Sequence, residues 1–152
     1  MRLAIIGLPN SSKTTIFNAL TRGHSETAAF SAGTFAVNTG VVAVPDQRVD
    51  RLVAMFKPRK TAYAQVTYAD ISGLDKGVGK GGLSGPLLNA LSESDALLHV
   101  VRAFDDPTVP HSEGSVNQQR DIEIVDIELL LSDLGIVEKR LERLHNDMAR
   151  GL

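Results

Sequence analysis

No cysteine occurs anywhere in the 152 residues, which removes disulfides, thiolate zinc sites and cysteine nucleophiles together. An excess of charge of either sign is lacking too: 16 Lys and Arg stand against 18 Asp and Glu, a net charge of −2. A balance so close to neutral gives no broad attraction to nucleic acid, although it leaves room for a local basic patch. Long apolar runs are also missing. The opening stretch Arg2-Leu3-Ala4-Ile5-Ile6 is short and gives way at once to polar loop chemistry, so it is neither a signal peptide nor a membrane span. The expectation is a soluble cytoplasmic protein with no membrane partner. Apolar content is ordinary at 43%, and a chain of this length is one domain able to bury a sizeable core.

What is present is concentrated in the first fifteen residues. The strand-forming run breaks at Gly7 into GLPNSSKTT, after which Ile16, Phe17, Ala19 and Leu20 resume at helical spacing. Strand, tight loop and helix are the layout of a phosphate-binding loop, where successive backbone N–H groups and the positive end of the helix hold a polyphosphate. Gly7, Pro9, Asn10, Ser11, Ser12, Lys13, Thr14 and Thr15 are therefore the candidate nucleotide contacts. Lys13 would bring a point charge to the β/γ-phosphates and Thr14 a hydroxyl to Mg²⁺. One position departs from the pattern G-x-x-x-x-G-K-[ST]: Ser12 stands where its second glycine belongs. Glycine serves there because the backbone must approach the phosphates closely and needs torsions that a Cβ disfavours. Ser12 is expected to cost roughly 1–2 kcal/mol and to weaken binding about tenfold or more. The plain rival reading is a strand-to-helix turn rich in small polar residues.

The first helix should run from about Lys13 to Arg22 and stop at Gly23. His24 to Asn38 is small and polar without periodicity, a long loop of the functional kind, within which Thr34 is a candidate for Mg²⁺ or the γ-phosphate. Thr39 to Val44 reads as a strand stopped by Pro45. Asp46 then caps a helix whose apolar positions Val49, Leu52, Val53 and Phe56 recur at steps of three and four. Lys57, Arg59 and Lys60 follow as a basic patch, either a solvated face or an RNA contact. Tyr63 to Ala69 alternates as a strand and leads into Asp70-Ile71-Ser72-Gly73, a D-x-x-G arrangement at a strand's carboxyl end. Open α/β sheets bind ligands at those ends. Asp70 would hold Mg²⁺ and the Gly73 amide would sense the γ-phosphate. Leu74 to Pro86 carries five glycines with Lys76 and Lys80, and reads as a switch or as a linker.

A helix around Leu87 to Ser94 leads into Ala96 to Arg102, an apolar run expected for a strand buried on both faces, with His99 a core histidine. Phe104 to Arg120 is a loop with His111 near its middle. From Asp121 onward, Ile127, Leu130, Leu134, Val137, Leu141, Leu144 and Met148 alternate at steps of three and four, the seam of a coiled coil. A seam needs a partner helix, and self-association through this helix is one way to supply it.

Taken together, GLPNSSKTT, VNTGVVAVPD, the strand into DISGLDKG, DALLHVVRAF and DIEIVDIELLLSDL resemble, in order and spacing, the YchF group of Obg-like P-loop NTPases. The resemblance implies an α/β fold of the Ras-like (TRAFAC) P-loop NTPase class, three-layered α/β/α. It would be truncated, with residues 1–120 the N-terminal part of the G domain and 121–152 the first helix of a coiled-coil arm. It further implies Mg²⁺ as cofactor, GTP or ATP as a slowly hydrolysed substrate, and a ribosome or translation factor as partner. Thr14, Thr34 and Asp70 fall on the family's metal positions, Thr34 on its switch I threonine and Gly73 on its D-x-x-G. Leu74 stands where Ras-like GTPases keep the glutamine that orients water. The catalytic role would pass to a loop histidine that corresponds to His111. The rival function is a non-catalytic interaction module with a degenerate P-loop.

Overall fold

The computed structural model describes residues 1–23, 36–72, 83 and 85–150. Its centre is strand β1 (Arg2–Ile6), whose branched and apolar side chains suit a position with neighbours on both edges. β1 pairs in parallel with β3 (Gln65–Ser72) on one edge and with β4 (Ala96–His99) on the other, while β2 (Ala36–Ala43) lies antiparallel outside β3. The sheet order is β2-β3-β1-β4, so the first strand is interior and the second is the antiparallel one.

Because successive residues of a strand face opposite ways, the register sorts the sheet into two faces. Ala4 and Ile6 of β1 and Ile71 of β3 look toward helix α3 (Gly85–Ser92) and the first turns of α4 (Gln118–Ala149), where Leu87, Ala90 and Val125 complete one buried cluster. Ile5 pairs across to Asp70, which in turn pairs with Asn38. That row looks toward helix α1 (Lys13–Thr21), whose buried Phe17 lies near Gly40. The layers are thus helix, sheet and helix.

Helix α2 (Gln47–Phe56) starts where Asp46 caps it, the carboxylate accepting from the Arg48 amide at 2.8 Å. It joins β2 to β3 at the end of the sheet away from the carboxyl terminus of β1 and buries none of its residues.

Several sequence expectations shift in the structure, among them β3, which runs Gln65–Ser72 rather than Tyr63 to Ala69. β2 begins at Ala36 rather than Thr39, because Ala36, Val37 and Asn38 pair with Ser72, Ile71 and Asp70. α1 ends on a left-handed Arg22 (φ 55°), one residue before the glycine expected to end it. β4 is four residues long, and Leu97 is 43% exposed, because among the described residues the strand pairs with β1 alone. Along α4 only Asp121, Val125 and Glu128 are buried; the seam residues Ile127, Leu130, Leu134, Val137, Leu141, Leu144 and Met148 are 42–75% exposed. Among the described residues no helix is long and apolar enough to cross a membrane.

Candidate functional site

The chain leaves β1 through Gly7, whose φ of +146° is closed to residues with a side chain. A Cβ there would lie 2.2 Å from the carbonyl oxygen of Val100, so glycine lets the loop cross the end of β4. Asn10 (φ 58°) and Ser12 (φ 72°, ψ 28°) are both left-handed. Asn tolerates that region because its short side chain bonds locally, and here its amide donates to the Pro110 carbonyl at 3.1 Å. Ser12 has no such compensation. It occupies the N-cap of α1 without a side-chain capping bond, in the backbone region that explains why glycine belongs there. Neighbouring Ser11 is buried, and its hydroxyl makes no hydrogen bond among the described residues.

Lys13 folds back over the loop and donates from Nζ to the Leu8 carbonyl at 2.8 Å. A lysine so placed crowns the amides of the turn, where a phosphate chain would lie against the start of α1. The adjacent Thr14 donates from Oγ1 to Oδ2 of Asp70 at 2.7 Å. Asp70 is 1% exposed, and its other oxygen, Oδ1, has no hydrogen-bond partner among the described residues. A buried carboxylate oxygen left without a donor is costly unless something cationic meets it. Its neighbour is a hydroxyl, so the donor set is all oxygen, which suits Mg²⁺. That ion takes one or two carboxylates from the protein and its other ligands from water and substrate phosphates. The residues present therefore fit the cation that the sequence implies. Thr34, Gly73, Leu74, Lys76 and Lys80 lie outside the described residues.

The wall beside the P-loop is the segment after β4, whose first residues, Val100 to Arg102, the sequence reads as the end of the strand and whose remainder, from Phe104, it reads as a loop. Buried Arg102 organises it: Nε donates to the Phe104 carbonyl at 3.1 Å and Nη2 to that of Asp106 at 3.3 Å, and the guanidinium sits 4.9 Å from the Phe104 ring centre. A charged residue just after an apolar strand was the available signal. Next along this segment comes His111, one residue past the carbonyl that receives Asn10. Its Nδ1 accepts from the Glu113 amide at 3.1 Å, so the proton sits on Nε2, which faces Asp121 Oδ2 at 2.9 Å. Both side chains are only 4% exposed. Arg120 completes the cluster through Asp121 Oδ1 at 2.8 Å. In this arrangement both ring nitrogens of His111 are engaged. His99 lies opposite Ile6 in the sheet, just before the loop begins. Burial pushes its pKa down, Asp126 of α4 opposes that, and the charge of Lys13 adds to the drop.

Comparison with known proteins agrees with this fold. The family described as 50S ribosome-binding GTPase matches residues 2–133. The ribosome-binding ATPase YchF of Bacillus subtilis (strain 168) is 42% identical over 91% of this chain and 38% of its own length. The protein of that name from Escherichia coli O157:H7 is 41% identical over 99% of this chain and 42% of its own. Among solved structures, the Schizosaccharomyces pombe YchF GTPase superposes with a TM-score of 0.71 at 38% identity, covering 96% of this chain and 39% of that one. The chain spans about two-fifths of the length of these relatives.

Proposed function

This chain belongs to the 50S ribosome-binding GTPase family, within which it resembles the YchF group, and on that premise we propose that it forms the phosphate- and metal-binding half of a slow nucleotide hydrolase acting at the ribosome. The observation that carries the reading is the 2.7 Å bond between Thr14 and Asp70. It joins two motifs 56 residues apart at the mouth of one loop, which a chance motif match would not do. Residues Gly7 and Pro9 to Thr15 would hold the phosphates of GTP or ATP, with Lys13 leaving the Leu8 carbonyl to meet them. Thr14 and Asp70 would hold Mg²⁺, which when bound neutralises charge on the phosphates. Thr34 and Gly73 are assigned to the metal and the γ-phosphate by their positions in the sequence. His111 is the proposed hydrolytic residue, and to act on water it must give up the Glu113 amide or Asp121. A ribosomal partner would place the protein in the cytoplasm.

Titration with labelled GTP and ATP analogues, with and without Mg²⁺, tests this reading. Magnesium-dependent binding is expected, and its absence from both wild type and Ser12→Gly would overturn it. Ser12→Gly itself should bind about tenfold tighter and gain up to about 1 kcal/mol in stability, since it removes a left-handed Cβ that no capping bond offsets. The strained Ser12 also favours the second reading, an interaction module that has lost productive nucleotide binding. That reading predicts no binding by the wild type and recovery in Ser12→Gly.

The exposed seam of α4 supports self-association of this chain. Sedimentation at rising concentration should show a dimer, converted to monomer by Leu134→Glu together with Leu141→Glu. A wild type that stays monomeric throughout would remove the proposal.

A further inference from the structure

Helix α2 and the segment after it form a surface that the nucleotide site does not use. Leu52 is 54% exposed and Met55 and Phe56 are each 73% exposed, large values for a helix whose apolar residues recur at helical spacing. Arg48, Arg51, Leu52 and Met55 are neighbours at steps of three and four, so two cations and two apolar side chains share one face, and Phe56 continues it four residues past Leu52. At Lys57 the backbone turns through a left-handed residue (φ 45°), and Lys57, Arg59 and Lys60 all stand exposed beyond it. The chain is held beside the helix as it returns: Tyr63 donates to Asp50 at 2.5 Å, and the Val44 amide to the Ala64 carbonyl at 2.8 Å.

Charge decides what this face fits. Residues 46–60 carry five cations against two carboxylates, a balance of +3 in a chain whose total is −2. Both carboxylates are already engaged, Asp46 by Arg48 and Asp50 by Tyr63. Arg51, Lys57, Arg59 and Lys60 make no ion pair among the described residues. On a lipid surface the cations would lie along the polar face of the helix, whereas three of the five here, Lys57, Arg59 and Lys60, lie past its end. An exposed aromatic at the end of a row of cations is instead the arrangement that stacks an unpaired base and tracks its phosphates.

We propose that the face formed by Arg51, Phe56, Lys57, Arg59 and Lys60 binds single-stranded RNA, with Phe56 stacking a base and the lysines and arginines meeting phosphates. This rests on the proposed ribosomal partner for its setting and names the surface that meets it. Because β2 and β3 run between this face and the P-loop end of the sheet, RNA and nucleotide would contact opposite ends of the same two strands, about 25 Å apart.

Fluorescence anisotropy of the full chain with a labelled, mixed-sequence single-stranded RNA, without nucleotide and across a series of salt concentrations, tests it. Failure here is thus read separately from failure of the nucleotide site. The triple variant Lys57→Gln, Arg59→Gln, Lys60→Gln should bind about tenfold or more weakly, and its slope of log affinity against log salt should be shallower by about 2. Phe56→Ala should lose about tenfold while keeping the wild-type slope. Lys139→Gln, Arg140→Gln, Arg143→Gln removes the same charge from α4 and should change little. The proposal is overturned if wild type shows no salt-dependent RNA binding, or if the α4 variant loses as much as the patch variant. Binding to phosphatidylglycerol vesicles but not to RNA would overturn it as well. Matching circular dichroism and melting curves establish that the variants fold, as substitutions at exposed positions should.

Discussion

Gly7→Ala is expected to lower the melting temperature by about 10 °C and to abolish nucleotide binding with it. The reasoning starts from two independent costs at one atom. At φ +146° the backbone occupies a region that is essentially closed to side-chain-bearing residues, worth roughly 1–3 kcal/mol of strain. The added methyl would also lie 2.2 Å from the Val100 carbonyl oxygen, and that oxygen belongs to backbone fixed by the bond from the Val100 amide to Ile6 at 2.8 Å. Neither side can yield without opening the β1–β4 pairing. A total of about 3 kcal/mol or more is a large part of the stability of a domain this size. Gly135→Ala is the internal control, since its Cβ would enter open space on an exposed helix and should gain up to about 1 kcal/mol. Equal melting temperatures for Gly7→Ala and wild type would show that the loop does not cross β4 as described.

What could be read from sequence and what could not divide along the range of the interactions. The P-loop was legible because its determinants are contiguous: a strand, a glycine, and a lysine and threonine opening a helix within fifteen residues. Asp46 as a helix cap was legible for the same reason, a local hydrogen bond between residues two apart. That Asp70 meets the P-loop was legible too, because both follow the carboxyl ends of strands, where open α/β sheets bind their ligands. The early start of β2 was not legible, because Ala36 to Asn38 are strand only by virtue of Ser72 to Asp70 alongside them, and tertiary pairing overrides a polar local composition. β4 misled for a related reason. Its apolar residues predict two covered faces, whereas burial depends on neighbours that a local window does not contain.

Within the site, the wall beside the P-loop was the part hidden from sequence. Asn10 and Pro110 are 100 residues apart, and nothing in either local pattern announces the bond. The pairing of His111 with Asp121 crosses only ten residues, yet it depends on the loop doubling back onto the start of α4. The heptad spacing along α4 was plain in the sequence, but periodicity reports a stripe and is silent about its occupant. Ser12 lay between these extremes: its departure from the glycine pattern was visible at once, and the left-handed torsion that gives the departure its cost emerged only with the backbone.

Asp70→Asn should produce effects of opposite sign on binding and on stability, and that opposition separates a metal site from a structural carboxylate. In the free protein Asp70 buries a carboxylate whose Oδ1 has no hydrogen-bond partner among the described residues, while Oδ2 accepts from Thr14. Removing a buried, half-satisfied charge while keeping its shape is expected to leave stability within about 1 kcal/mol of wild type, or to raise it. Asn can still accept from Thr14, so the loop and α1 should keep their places. Binding of the magnesium–nucleotide complex should fall about 10–100-fold, because a neutral amide replaces an acidic ligand. The loss should be confined to the magnesium-dependent part of the affinity, since contacts of the loop amides and Lys13 with the phosphates do not pass through Asp70. Calorimetric titration with and without Mg²⁺, beside a thermal melt of the free protein, reads both effects on one sample. If Asp70→Asn instead melts several degrees lower and loses metal-free binding equally, the carboxylate holds Thr14 in place and nothing more.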